Sequence, residues 1–552
     1  MTAEAAPNIL TVMIEDYYQV GAFSRVIPSS HWGRFEARVK GNTETTLDLL
    51  DETGCRATFF ACGWIADHHP EILAEVARRG HEVACQGYVH HNIRDMTPET
   101  FRDDVRRSRD AVEQATGLPV QGFRIGRGWI GPRDLWALGV LAEVGFAYDA
   151  SLGPIGRAFA DKPGWLTVHQ HPTEAGPLWE VPVSSLGVAG WSVPISGGNY
   201  LRQLPERPLR WAADRWVRRQ AAPLVMYFHV WELDADQPSI AAAGRLQRLR
   251  HYRNLDAMTA RVRRFLEAFP FTGIADHLGL SSDREVAATS TAAEAPAAAV
   301  ETRRPLTVVI PCYNEETALP YLKRTLERFA ATAGAPYDTR FVFVDDGSQD
   351  ATWTILGEYF GDRADCQLVR HGTNRGVAAA VLTGIEAATT DVVAVIDADC
   401  TFDPHQIATM MPLMEDGVDV VSASPMHRLG EVVNVPAWRL ALSHGATFLY
   451  RLVLHHKAAS YTSCFRIYRR EAVAGMTLAN EGFCGMAEIL GRLDLAGARI
   501  VECPAVLEAR LLGRSKINTV RTIADHLRLI ARLAAARWLG TPLPAGRGAG
   551  AR

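Results

Sequence analysis

The sequence predicts two α/β units joined by a linker, and three observations predict it. In the first half, short apolar runs (Ile9 to Ile14, Ala57 to Cys62, Leu224 to Phe228) alternate with amphipathic stretches such as Thr97 to Thr116. That alternation implies a parallel sheet or barrel with outer helices. In the second half, LTVVIP, RFVFVDD and DVVAVIDAD each end an apolar run in turn or acidic residues. Between them, SSDREVAATSTAAEAPAAAVETRRP loses its large apolar residues, and such a composition cannot build a core. The expected organisation is therefore a first unit over 7–280, a flexible linker over 281–304, a second unit over 305–540 and a disordered Gly/Pro/Ala tail over 541–552.

The bulk numbers agree with that division. A chain of 552 residues is longer than one core usually organises. Its 47% apolar and 22% charged residues are those of ordinary globular protein. A formal charge of −4 gives no reason to expect nucleic acid as a partner. Nine cysteines, an odd number with no CxxC pair, look like reduced thiols. The N-terminal stretch lacks the basic head and apolar body of a secretion signal, and no run reaches the roughly 18 apolar residues of a membrane span. The expected location is the cytoplasm, with peripheral contact to the inner face of the cell membrane as a further option.

In the second unit, Asp345-Asp346-Gly347-Ser348 and Asp397-Ala398-Asp399 stand at strand ends, where open α/β sheets collect their chemistry. Asp397 and Asp399, spaced by one residue, are suited to share one hard cation, Mg²⁺ or Mn²⁺, while a diphosphate supplies further oxygens. The cation would offset the charge of a departing nucleotide. A lone pair of this kind is often only a solvated turn. Here VVIPCYNEE, FVFVDDGSQD, HGTNRG and VIDADCTFDP occur in order, and the series resembles the family 2 glycosyltransferases with the Rossmann-like GT-A fold. YTSCFRIYRRE, GFCGMAEIL and EARLLGRSK resemble that family's polyprenyl-phosphate branch, which includes the dolichol-phosphate mannose synthases.

The resemblance implies a nucleotide-sugar donor and a polyprenyl phosphate or carbohydrate acceptor. It places Pro311, Tyr313, Glu315 and Asp346 around the nucleotide's base and ribose, and Asp397 and Asp399 on metal and diphosphate. Arg510 and Lys516 would meet phosphates, with Arg466 a further phosphate candidate. Two departures stand out: Ser460-Tyr461-Thr462-Ser463-Cys464-Phe465-Arg466 replaces D-x-T-S-G-F-R, and Thr401 stands where a Gln commonly follows the acids. Beyond them, Val520, Ile523, Leu527, Ile530, Ala534 and Trp538 recur at helical spacing among Arg521, Arg528, Arg532 and Arg537. This is either a basic amphipathic helix for an anionic interface or a terminal helix docked on its own unit.

In the first unit, MIEDYYQV, ATFFACGWIA, GHEVACQGYVHH, FRIGRGW, LWEVPVS and MYFHVWELDADQP resemble the polysaccharide deacetylases of NodB-homology type, a distorted (β/α) barrel. The trailing RHYRNL and the region to about Leu280 resemble the C-terminal extension of an exopolysaccharide-associated subgroup. Active members use a divalent metal, usually Zn²⁺, held by Asp-His-His, with an Asp base and a His acid. Asp16 and His90 match two ligand positions, but Gln86 replaces the first histidine and amide oxygen is a weak zinc ligand. Met13 stands where the base is expected, Arg124-Ile125-Gly126 replaces R-A-P, and His229 keeps the place of the acid. His91 is an alternative ligand and Glu15 an alternative base. The simpler expectation is a unit that kept its fold and lost its hydrolysis, serving as a carbohydrate-binding scaffold. The rival is a bifunctional glycosyltransferase and metal-dependent deacetylase.

Overall fold

A computed structural model describes residues 7–153, 159, 162–188, 191–219, 222–280, 303–513 and 519–543. Lys516, most of the expected linker and most of the expected tail lie outside the described residues. The described residues divide into two compact units, the first drawn from 7–32, 37–238 and 244–280 and the second from 33–36, 239–243 and 303–543.

The first unit is built on strands β1 (Asn8–Ile14), β2 (Thr58–Ala61), β3 (Glu82–Cys85), β4 (Gly122–Phe123), β5 (Tyr148–Asp149), β6 (His169–Thr173), β7 (Gly176–Glu180), β10 (Val225–His229) and β11 (Phe271–Thr272). Between β7 and β10, β8 (Ser185–Val188) and β9 (Trp191–Pro194) pair only with each other. The main sheet runs β10-β1-β2-β3-β4-β5-β7-β6, with β11 also against β1. Every pairing is parallel except β6 with β7. Successive strands add at one edge and β10 returns beside β1, the winding of a (β/α) barrel that stays open between β10 and β6. Buried parallel strands read as continuous apolar runs, and all seven residues of β1 are buried. Crossover helices cover the sheet; Pro98–Thr116 starts at Thr97, whose hydroxyl and that of Thr100 reciprocally cap the first turn.

The second unit has β12 (Arg304–Cys312), β13 (Tyr337–Asp345), β14 (Cys366–Arg370), β15 (Val392–Val395), β16 (Val420–Ser424), β18 (Arg466–Arg469) and β19 (Ile500–Pro504), with β17 (Glu431–Val433) and β20 (Val506–Glu508) as a separate pair. The order is β14-β13-β12-β15-β18-β16-β19, parallel except where β18 inserts antiparallel between β15 and β16. This is the expected Rossmann-like GT-A framework. The winding reverses between β12 and β15, and such a switch point opens a crevice beyond the carboxyl ends of both strands. Val308, Val309 and Ile310 are fully buried in β12, each contributing roughly 1.5–3 kcal/mol of apolar burial.

Candidate functional site

The crevice of the second unit gathers groups from three segments. Asp397 and Asp399 follow β15, Glu315 follows β12, and Arg510 comes from the segment after β20. Arg510 donates from Nε to Asp399 Oδ2 at 2.6 Å and from Nη1 to Glu315 Oε1 and Oε2 at 3.0 and 3.1 Å. These Arg510 donors thus reach carboxylates, where the sequence reading gave Arg510 to phosphate. Glu315 likewise belongs to the acid cluster. Burial first, then the neighbouring Asp399 charge, pushes the Asp397 carboxyl up to about 7. The turn after the acids is tight: Cys400 sits in the left-handed region at φ 51°, and Thr401 N donates to Asp399 Oδ1 at 3.1 Å. Pro311 and Tyr313 remain half-buried at the end of β12.

Asp346 does different work from that expected. It is 2% exposed, and its carboxylate accepts from Asn374 Nδ2, Arg375 N and Gly376 N at 2.9, 2.9 and 2.7 Å, while His371 Nδ1 lies 2.7 Å away. It thus fastens the HGTNRG loop to the end of β13. Gly347 (φ 72°) and Gly376 (φ 112°) are required there, since an added Cβ would come within 2.5 Å of Thr373 C and 2.4 Å of Glu481 O respectively.

Arg466, expected at a phosphate, is corrected by its surroundings. It is fully buried, donating from Nη1 to Met486 O at 2.6 Å, from Nη2 to Tyr461 O at 2.7 Å and from Nε to Ser422 Oγ at 3.3 Å. Burial demanded partners and the backbone supplied them. Arg466 therefore ties β18 to β16 and to the helix Phe483–Leu495.

The helix Thr519–Leu539 has an apolar arc wider than its docking face. His526, Leu529 and Leu533 are buried, Ile530 and Ala534 pack against the core, and His526 Nδ1 meets Tyr450 OH at 2.8 Å. Ile523, Leu527 and Trp538 of the same arc are exposed, as are Arg521 and Arg528. The neighbouring helix Ala437–Val453 exposes Trp438, Leu442, Phe448 and Leu452. Among the described residues, no helix is long and apolar enough to cross a membrane.

In the first unit, the place expected for a metal holds a different constellation. Asp16 turns away from it: its Oδ2 accepts Arg38 N and Val39 N at 2.7 and 3.0 Å, and its Oδ1 accepts Tyr17 N at 2.9 Å. It serves the N-terminus of the helix Val39–Thr53, and burial pushes its carboxyl up to about 7 despite these donors. The neighbour, Glu15, is the convergent acid. Gln86 Nε2 donates to Glu15 Oε1 at 2.8 Å, and His90 Nε2 and His229 Nε2 lie 3.7 and 4.0 Å from that oxygen. Residues two apart share a face at the end of a strand, so Glu15 follows Met13, whose register partner on β10 is His229. The sequence reading had Glu15 only as an alternative base; the alternation puts it at the centre of the set.

His90 Nδ1 meets Gln19 O at 2.9 Å, which leaves Nε2 facing Glu15. His91 does not join: its exposed ring lies 3.8 Å from Asp104 Oδ1. Burial pushes the His229 imidazole down to about 4, keeping it neutral. Zinc does not fit this set: the Gln86 amide is bonded to Glu15, Met13 offers no base, and Asp16 is spent on backbone. Among the described residues, no three His, Cys, Asp or Glu side chains are grouped to hold a metal ion. At the carboxyl ends of β3 and β4, Arg124 N donates to Cys85 O at 2.9 Å, and the Arg124 guanidinium lies 4.9 Å from the Trp129 ring and 4.7 Å from that of Tyr227.

Comparison with known proteins matches a model of glycosyl transferase family 2 at residues 307–476, one of polysaccharide deacetylases at 30–145 and one of a domain of unknown function at 150–278. A dolichol-phosphate mannosyltransferase of Pyrococcus furiosus is 32% identical over 237 residues, 43% of this chain and 64% of that one, less than two thirds of its length. An uncharacterised glycosyltransferase of Mycobacterium tuberculosis is 32% identical over 223 residues, 39% of this chain and 89% of that one. Among solved structures, glucosyl-3-phosphoglycerate synthase of M. tuberculosis with Mn²⁺, uridine diphosphate and glucosyl-3-phosphoglycerate is 19% identical with a TM-score of 0.31, over 43% of this chain and 81% of that one.

Proposed function

Because the chain belongs to glycosyl transferase family 2 and carries a polysaccharide deacetylase domain ahead of that unit, we propose that it transfers a sugar from a nucleotide donor to a polyprenyl phosphate. The observation that carries the reading is the convergence of Asp397, Asp399, Glu315 and Arg510 at the β12–β15 switch point. The acids present only hard oxygen donors, the set that suits Mg²⁺ or Mn²⁺. Asp397 and Asp399 would hold that ion, which when bound lowers the charge of the departing diphosphate. Arg510 adds a fixed positive charge beside the acids, and Asp346 holds the HGTNRG loop in place. A lipid phosphate is ionised at neutral pH, so its oxygen can attack the anomeric carbon in line without a protein base. Lys516 is proposed for a phosphate as well.

The lipid acceptor is favoured by the exposed apolar residues of Thr519–Leu539 and Ala437–Val453, interleaved with arginine, a composition suited to an anionic membrane surface. The acid test is nucleoside diphosphate release by the full chain with Mg²⁺ or Mn²⁺ across a panel of nucleotide sugars. Release should rise when undecaprenyl phosphate vesicles are added and should vanish in Asp397→Asn. Release that ignores lipid phosphate would refute the acceptor; release that survives Asp397→Asn would refute the site.

For the first unit, the Glu15–Gln86 hydrogen bond and the loss of a base at Met13 favour a carbohydrate-binding role without hydrolysis. Acetate release from N-acetylated oligosaccharides with stoichiometric zinc would instead establish the bifunctional enzyme.

A further inference from the structure

Arg124 is the least expected group in the first unit. The residue is only 5% exposed, yet among the described residues its guanidinium has aromatic faces for neighbours and no hydrogen bond or ion pair, and its Nη1 is buried without a partner. An arginine stays charged even when burial disfavours the charge; here the Asp149 and Glu15 carboxylates offset that charge through space, without a direct ion pair, and the buried Nη1 donors stay unused. A buried guanidinium with unused donors is a candidate for binding.

Two further buried polar atoms, on the segment that Gly126 packs against, lack partners, and both can accept. One is Gln86 Oε1, on a residue 2% exposed, whose amide nitrogen is given to Glu15. The other is His90 Nε2, on a residue 8% exposed, left as the acceptor when Nδ1–H donates to the Gln19 carbonyl. The segments are continuous: Arg124 sits over Tyr227, the Tyr227 and His229 rings are 6.0 Å apart, and His229 reaches Glu15. His229 keeps a quarter of its side chain exposed, which marks a way in. The set therefore offers one forked cation, several acceptors and two aromatic faces, Trp129 and Tyr227, whose rings lie 5.9 Å apart.

We propose that this set of residues binds, without metal, a sugar residue bearing a carboxylate, with Arg124 gripping the carboxylate and Gln86, His90 and Glu15 accepting from ring hydroxyls. A planar carboxylate matches the guanidinium fork. A single cation next to the Glu15 carboxylate suits a monoanion better than a phosphate dianion. A hydroxyl-rich ligand answers the surplus of acceptors, which acetate would leave unmet. The inference rests on the reading of the first unit as carbohydrate-binding, and it adds the class of ligand.

The test uses the full chain in excess chelator and calorimetric or saturation-transfer NMR titration with glucuronate, its uncharged methyl ester, and acetate. Glucuronate should bind at least tenfold more tightly than either, and chelator should change nothing. Arg124→Met should lose at least tenfold in glucuronate affinity while its unfolding midpoint is unchanged or raised, since a merely structural arginine would lower it. Equal binding of ester and acid, equal binding of acetate, dependence on metal, or full affinity in Arg124→Met would each overturn the proposal. The ester comparison needs no variant, so the result stands even if Arg124→Met fails to fold. A preference for neutral sugar would sink this inference and leave the carbohydrate-binding reading intact, and diphosphate release from the second unit reports on the transferase separately.

Discussion

The Asp397–Asp399 pair makes a prediction whose sign and size follow from burial. A buried carboxyl beside a second acid is pushed up to about 7, so the folded protein holds a proton that the unfolded chain releases near pH 4. A raised folded value means the associated stability is full below the unfolded value, declines as pH rises, and is gone above about 7. Moving an aspartate from its ordinary range to about 7 corresponds to roughly 4 kcal/mol of differential stability. Asp397→Asn keeps the shape and removes the charge, so it should match the wild type near pH 4 and exceed it by up to about 4 kcal/mol at pH 8. For a unit of this size that is a midpoint shift on the order of 10 °C. The assay is thermal unfolding of both proteins from pH 4.5 to 8.5 in chelator. Asp16 in the first unit is also raised to about 7, and buried acids such as Glu82, Asp149 and Glu180 are raised as well, so the wild-type profile alone mixes several groups, and the wild-type-minus-variant difference isolates Asp397. Added Mg²⁺ or Mn²⁺ at pH 8 should stabilise the wild type and leave Asp397→Asn unmoved. A difference that is flat with pH, or a variant less stable at pH 8, would refute the reasoning.

Asp399→Ala should cut nucleoside diphosphate release by about 100-fold or more, because it removes one acid of the pair and frees Arg510 from one of its two carboxylates; activity within threefold of wild type would count against the site. Gln86→His should place an imidazole beside Glu15 and His90, completing a three-ligand set, and raise bound zinc from none to about one per chain by elemental analysis, a result that failure to take up zinc would contradict. Arg466→Met should cost about 3–4 kcal/mol by leaving buried carbonyls of Tyr461 and Met486 unpaired, with the nucleotide affinity of the folded fraction unchanged. Leu527→Glu should reduce pelleting with anionic vesicles while largely sparing the melting temperature, since more than half of Leu527 is exposed.

What could be read in the sequence differs between the units for physical reasons. In the second unit the strands are continuous apolar runs ended by acids, and a buried parallel strand can hardly look otherwise. The acids at its ends were legible for the same reason: nothing but chemistry or a turn explains carboxylates directly after VVAVI. The duties of individual charged groups were less legible, because a motif shows that a residue is needed without showing what it touches. Asp346 and Arg466 both sit in motifs, and both turn inward, one onto backbone amides of a loop and the other onto backbone carbonyls.

The first unit shows where a stricter use of geometry would have sufficed. Reading MIED as a motif drew attention to Asp16, the last acid before the aromatic pair. Reading it as a strand promotes Glu15 from an alternative base to the leading acid, because side chains at 13 and 15 share a face and that at 16 does not. Once Met13 is opposite His229 in the sheet, Glu15 has to emerge at the mouth of the strand ends beside the histidines, and Asp16 is left to meet the N–H groups that open the helix Val39–Thr53. The same reasoning explains why the loss of an imidazole at Gln86 did not leave Glu15 unpaired: the amide donates one hydrogen bond where a metal would have made a bond. The site thereby holds together without an ion, and Arg124 keeps buried donors at Nη1 that no side chain takes up.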